Sequence, residues 1–347
     1  MAEICLGLIF VGLTMYAVLG GADFGAGFWD LTAGGDRRGG PVRGLIQRSM
    51  SPVWEANHVW LIFVLVVSWT AFPVAFGAVF TTFLVPLFLA ALGIIMRGTA
   101  FALRGQAATI KEARVLGAIF ALSSVILPFF LGTVLGGIAA GAVDVADPAP
   151  SNDAWTSLVA ITAGVLAVLT GAYLSAVFLA GDARRAELPD LERAFRARAL
   201  GIGVVTGAAS IGALFVLRSD ARPLYDGLTS GAGLAAVIAS VAAGIATLAL
   251  IWTWRFGLAR WTAAAAVAAV VLGWWLATRP DVLPGLPLDE AASPDATLTA
   301  LVISVALGLL LLVPALLYLY RLVLAGTLSQ GYEPLDQQFR PTDGDGS

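Results

Sequence analysis

At 347 residues, 59% hydrophobic and only 12% charged, with a mean hydropathy of +0.88, the chain is too apolar for life in water. A soluble domain covers its surface with about 25% charged residues, so this composition belongs in lipid. A net charge of −3 leaves no basic patch for nucleic acid, and the single Cys5 excludes an internal disulfide framework and any CxxC metal site.

The N-terminus, Met1-Ala2-Glu3, lacks the basic region of a cleavable signal peptide, so the first apolar segment is expected to remain as a membrane helix. A helix needs about 20 apolar residues to cross the roughly 30 Å hydrocarbon layer. That ruler predicts an all-α polytopic protein with nine spans, over 4–29, 53–72, 75–97, 115–139, 155–180, 199–217, 231–253, 258–278 and 297–325. Residues 1–330 then form a single membrane domain, and 331–347 a disordered tail. Pro86, Pro128 and Pro314 fall inside spans and are expected to mark kinks.

Charge sets the expected orientation. The connections after spans one, three, five and seven, with the tail, hold 17 of the 20 Arg and Lys, whereas the opposite side holds Arg218, Arg222 and Arg279. By the positive-inside rule the N-terminus faces outward and the C-terminus is cytoplasmic.

In the first connection, Val42, Leu45, Ile46 and Met50 share one face, which predicts an amphipathic helix lying on the cytoplasmic surface. The stretch 181–198 mixes both charge signs at helical spacing and is expected to extend the sixth helix, with Pro189 near its start. The outer connections, 140–154 and 279–296, are rich in Pro, Asp and Gly and should be irregular caps. Gly21-Ala-Asp-Phe-Gly-Ala26 is similar to Gly171-Ala-Tyr-Leu-Ser-Ala176, which suggests a parallel repeat of helices 1–4 and 5–8, two four-helix bundles with helix 9 peripheral.

Two acids stand in or near the spans without belonging to a loop, Asp23 and Glu55. An ionisable group at the centre of a span costs about 2.5–3.5 kcal/mol to insert, so it marks a candidate site. Asp23, Gly27 and Asp30 share a helix face, a line of carboxylates toward the cytoplasm. Glu55 and His58, at i and i+3, share another. A carboxylate beside an imidazole can exchange protons near neutral pH. The same residues also fit a plain structural role. Ser51-Pro52 is a good helix opening, a first-turn Glu55 suits the helix dipole, and His58, Trp54 and Trp60 suit an interfacial belt. Gly21 and Gly25 form a G-x-x-x-G packing face that lets a neighbour approach Asp23. One histidine and four methionines cannot supply axial ligands for several hemes, and no nucleotide-binding or zinc motif occurs, so the chain is expected to hold no metal centre.

Together Gly20-Gly-Ala-Asp23-Phe-Gly25-Ala-Gly27 and Trp54-Glu55-Ala-Asn57-His-Val-Trp60-Leu61 resemble the D-G-F-D-x-G-x-G and W-D-x-N-x-V-W-L segments of subunit II of the cytochrome bd quinol oxidases. The resemblance implies a bacterial or archaeal plasma-membrane protein paired with subunit I. That partner would hold two hemes b, one heme d and the quinol site, and a small accessory subunit can accompany the pair. The complex would oxidise quinol and reduce dioxygen to water, taking its protons from the cytoplasm. Subunit II would be heme-free and would support the hemes and conduct protons. On that reading Asp23, Glu55, His58 and Asn57 line the proton pathway, and Gly21, Gly25, Gly27, Trp54 and Trp60 pack the motif. Two departures stand out: the first family acid is Gly20 here, and the acid of the second motif is Glu55 rather than Asp. The competing readings are a proton-coupled secondary transporter and a purely structural assembly subunit.

Overall fold

The computed structural model describes residues 1–50, 54–104 and 109–324, with the side chains at 36–38, 50, 54–56, 104, 110, 320, 323 and 324 excepted. The Ser51-Pro52 helix opening and the expected tail at 331–347 therefore lie outside the described residues, as do the side chains of Glu55 and Trp54.

Helix α1 (Ala2–Met15) runs through a π-helical turn at Tyr16–Gly20 into α2 (Gly21–Leu31), so the first predicted span is one helical rod of 30 residues. At 1.5 Å per residue it is about 45 Å long. Helix α3 (Asp36–Met50) begins earlier than its amphipathic pattern suggests. Its apolar face meets protein rather than lipid: Val42, Leu45 and Ile46 are buried in one cluster with Leu174, Val177 and Phe195.

Helix α4 (Trp54–Ala71) is followed by α5 (Pro73–Thr82), bent away by 119°. Pro73 has no N–H to continue the α4 ladder and disfavours helical angles at Phe72, which sits at φ −136°, ψ 62°. A second break at Phe83 separates α5 from α6 (Leu84–Arg104), and Pro86 stands in the first turn of α6, where a missing N–H costs nothing. The predicted span over 75–97 is thus two helices. Eight helices among the described residues are long and apolar enough to cross a membrane, and a ninth appears if residues 57–71 and 73–82 count as one bent span.

Helix α7 (Ile110–Ala139) is capped by Thr109, which accepts from the Glu112 amide at 3.2 Å, and is unbroken at Pro128. After the short α8 (Asn152–Thr156) come α9 (Leu158–Arg185) and α10 (Pro189–Asp220), the latter starting at the proline as expected. The short α11 (Arg222–Leu228) leads to α12 (Gly231–Trp252) and α13 (Phe256–Thr278). The connection beyond, expected to be irregular, is not wholly so: β1 (Asp281–Leu283) and β2 (Leu286–Pro287) pair antiparallel, then α14 (Leu288–Ala291) precedes α15 (Asp295–Leu324).

The connections 140–154 and 279–296 both complete helix ends that the breaks leave open. The Ser293 amide donates to the Ala71 carbonyl at 2.8 Å, its hydroxyl donates to Thr70 at 2.8 Å, and the Ser151 amide donates to Thr82 at 3.1 Å. Phe72 and Phe83, at the two breaks, are wedged into a core with Val143, Leu283 and Leu298. In the interior α9 packs across α2, α7, α10 and α13, while α6 pairs with α7 and α12 with α13. Helix α15 lies outside, along α4 and α1, with Leu310 and Leu311 70% and 76% exposed.

Candidate functional site

The site is built where the first rod meets α6 and α7. Asp23, three residues past the π-helical turn, points into the bundle and is met by Arg97 of α6: Nη2 lies 2.7 Å from Oδ1, and neither side chain is more than 2% exposed. The guanidinium also donates from Nε to Ser124 Oγ on α7 at 2.9 Å and from Nη2 to the Asp23 carbonyl at 3.4 Å. It is sandwiched between aromatic faces, 5.0 Å from the Phe24 centroid and 4.9 Å from that of Phe120. These cation–π contacts hold the guanidinium beside the apolar cluster of Tyr16, Trp60, Ala90 and Leu127.

The glycines make this approach possible. A methyl group on Gly27 would overlap the Ser124 side chain, and one on Gly25 would overlap the Gly171 carbonyl of α9. Gly21 faces Leu174 and Gly171. The two similar segments, 21–26 and 171–176, are therefore in direct contact. Trp29 fastens that crossing from one side, donating its Nε1 to the Ala172 carbonyl at 2.9 Å.

Around the ion pair, three buried polar atoms have no hydrogen-bond partner among the described residues: Asp23 Oδ2, Arg97 Nη1 and Tyr16 Oη. His58 completes the ring of groups, half-buried, with its centroid 6.3 Å from that of Tyr16 and 6.0 Å from that of Phe24. An ion pair with spare donors and acceptors, bordered by a hydroxyl and an imidazole, is an arrangement that can pass protons along hydrogen bonds.

Asn57, expected among the carriers, donates its Nδ2 to the Leu19 carbonyl at 3.3 Å. Leu19 lies in the π-helical turn, so the amide fastens α4 to the segment that sets the register of Asp23. Trp60 is buried, with an edge contact to Phe63 at 6.2 Å. The backbone at Glu55 belongs to the first turn of α4. Asp30, read with Asp23 as a line of carboxylates, is paired in its turn: Arg43 Nε is 2.7 Å from its Oδ1, and this bond ties α3 to α2.

Arg97 escaped the sequence reading because it was counted with the basic connection that follows. Its signal was position: Ile94-Ile95-Met96 precedes it and Ala100-Phe-Ala-Leu103 follows, so it is an isolated cation inside an apolar helix. Among the described residues, no three His, Cys, Asp or Glu side chains stand together as a metal site would require.

The fold and site define a polytopic helical membrane protein with a fully desolvated ion pair at its centre. The sequence model of the family described as cytochrome bd terminal oxidase subunit II matches residues 1–323, and the chain belongs to that family. It is 28% identical over 250 residues to the putative cytochrome bd menaquinol oxidase subunit II of Bacillus subtilis, covering 71% of each chain. It is 29% identical over 131 residues to the cytochrome bd ubiquinol oxidase subunit 2 of the same organism, covering 38% of this chain and 37% of that one. Among solved structures it matches a chain of the bd oxidase from Geobacillus thermodenitrificans with a TM-score of 0.70 and 25% identity, covering 92% of this chain and 98% of that one. The protein is thus a subunit of a quinol-oxidising oxidoreductase complex.

Proposed function

We propose that this chain is a heme-free subunit that supports a heme-bearing subunit I and conducts protons from the cytoplasm to the site of dioxygen reduction. The observation that carries the reading is the Asp23–Arg97 pair, with Asp23 Oδ2, Arg97 Nη1 and the Tyr16 hydroxyl unpartnered among the described residues. Glu55 and His58 would take up protons from the cytoplasmic side, with water as the carrier between them and Asp23. Asn57 would hold the turn beneath Asp23. The hemes, two of type b and one of type d, would reside in subunit I, with quinol as the electron donor and surrounding quinone and lipid as the milieu.

Two features support the orientation this requires. Asp23 lies eight residues, about 12 Å, from the end of its rod. That end is the one where Arg43, Arg184, Arg196 and Arg255 gather, the expected cytoplasmic side in a plasma membrane. The contact between segments 21–26 and 171–176 supports the reading of residues 1–330 as one domain of two four-helix repeats with α15 peripheral.

The test is a mildly solubilised complex carrying Glu55→Gln. A reduced-minus-oxidised spectrum with unchanged heme b and heme d bands, joined to quinol-driven oxygen consumption reduced at least tenfold, is the expected result. Full turnover would remove Glu55 from the route. A colourless, partner-free parent preparation would remove the oxidase role itself.

A further inference from the structure

At the end of α12 the chain turns through Thr253-Trp254-Arg255 into α13. The turn is a Schellman closure: the Arg255 amide donates to Leu250 at 2.8 Å and the Trp254 amide to Ile251 at 3.2 Å. The residue in the left-handed position of such a closure is ordinarily glycine, yet here it is Trp254 at φ 61°. A strained aromatic residue persists only where its surroundings hold it. What holds it is Arg196 of α10, whose guanidinium lies 4.5 Å from the Trp254 ring and 5.2 Å from that of Trp252. Arg196 donates to the Ile251 and Trp252 carbonyls at 3.1 and 2.9 Å, and Arg184 to the Trp254 carbonyl at 2.6 Å.

Three indoles within ten residues face outward, Trp252 at 67%, Trp254 at 39% and Trp261 at 77% exposed. Tryptophan with its ring exposed at a helix end is the signature of the headgroup level. The charge there is unbalanced. Asp182 binds Arg185 and Arg260, Asp190 binds Arg193, and Glu192 lies against Arg184. Glu187, the remaining acid of this connection, sits at the α9 turn and ion-pairs with none of these arginines among the described residues. Arg196 meets only carbonyls and aromatic rings, and exposed Arg255 has no hydrogen bond or ion pair through its side chain among the described residues.

We propose that this turn is a binding site for the phosphate of an anionic phospholipid, held between Arg196 and Arg255 with the indoles seated at the glycerol level. Guanidinium groups match phosphate oxygens in geometry and charge. The site lies on α10, α12 and α13, away from the Asp23–Arg97 pair, and is independent of the proton route. It depends only on this end of the helices reaching the headgroup layer.

The test uses the whole oxidase complex in nanodiscs of phosphatidylcholine, titrated with phosphatidylglycerol and read by native mass spectrometry and tryptophan fluorescence. Arg255→Gln should weaken phosphatidylglycerol binding roughly fivefold, the share expected of one interfacial arginine. Trp254→Gly separates a site from a mere turn: glycine relieves the backbone, so the protein should be at least as stable while lipid binding falls. Inorganic phosphate should fail to displace the lipid at millimolar concentration. Equal binding of phosphatidylglycerol by parent, Arg255→Gln and Trp254→Gly would overturn the proposal, as would displacement by free phosphate, which would mark a soluble-anion site.

Discussion

Removing Arg97 tests the central ion pair most directly. At an effective dielectric of about 20, unit charges about 4 Å apart attract by about 4 kcal/mol, and nothing in the apolar wall around Asp23 can replace that attraction. Arg97→Met therefore leaves a buried carboxylate without its cation, which costs about 3–5 kcal/mol. Asp23→Asn strands the guanidinium at a similar cost. The double variant strands neither charge. Its loss should be about 1–2 kcal/mol, the residue of unsatisfied hydrogen bonds at Ser124 and the Asn amide. The coupling is thus large and opposite in sign to additive behaviour. Denaturant titration of the detergent-solubilised complex reads the stability, and oxygen consumption with quinol reads the function. The double variant should regain its fold and still turn over slowly, because the route has lost both its acid and its partner. A double variant as unstable as the two singles combined, or an Arg97→Met protein within 1 kcal/mol of the parent, would refute the reasoning.

Two further substitutions probe packing and register. Gly25→Ala drives a methyl group into the Gly171 backbone and should abolish assembly of the complex on native gels, whereas Gly77→Ala, with open space around it, should assemble normally. Asn57→Leu removes the amide from the Leu19 carbonyl and should cost about 1–3 kcal/mol in the same denaturant titration. Its solvent isotope effect on turnover should match the parent's, since the amide fastens the turn and carries no proton.

The long helices and the small-residue motif were legible because each is written locally, in apolar runs and in glycine spacing. Asp23 was legible for the same reason, as an acid among apolar neighbours. The break between α4 and α5 was signalled by Pro73, but apolar residues on both sides of Phe83 read as one run and hid the break between α5 and α6. The burial of α3 was beyond an amphipathic pattern, which distinguishes an apolar face from a polar one and says nothing of whether lipid or protein covers it. The contact of Gly25 with Gly171 joins residues far apart in the chain. The similarity of their segments was visible, yet similarity does not reveal that two copies touch. Arg97 needed its depth weighed against its distance from Arg104, seven residues or about 10 Å along the helix.

The bond from Ser293 to the end of α4 also constrains how the chain is made. Thr70 and Ala71 leave the ribosome more than two hundred residues before the serine that donates to their carbonyls, since Ser293 lies 223 positions beyond Thr70. The nascent bend at Phe72 must meanwhile rely on water at the membrane face. The end of α4 is therefore completed only when the connection between α13 and α15 has been made. A chain released before residue 293 would leave the Thr70 and Ala71 carbonyls at the end of α4 without these two donors.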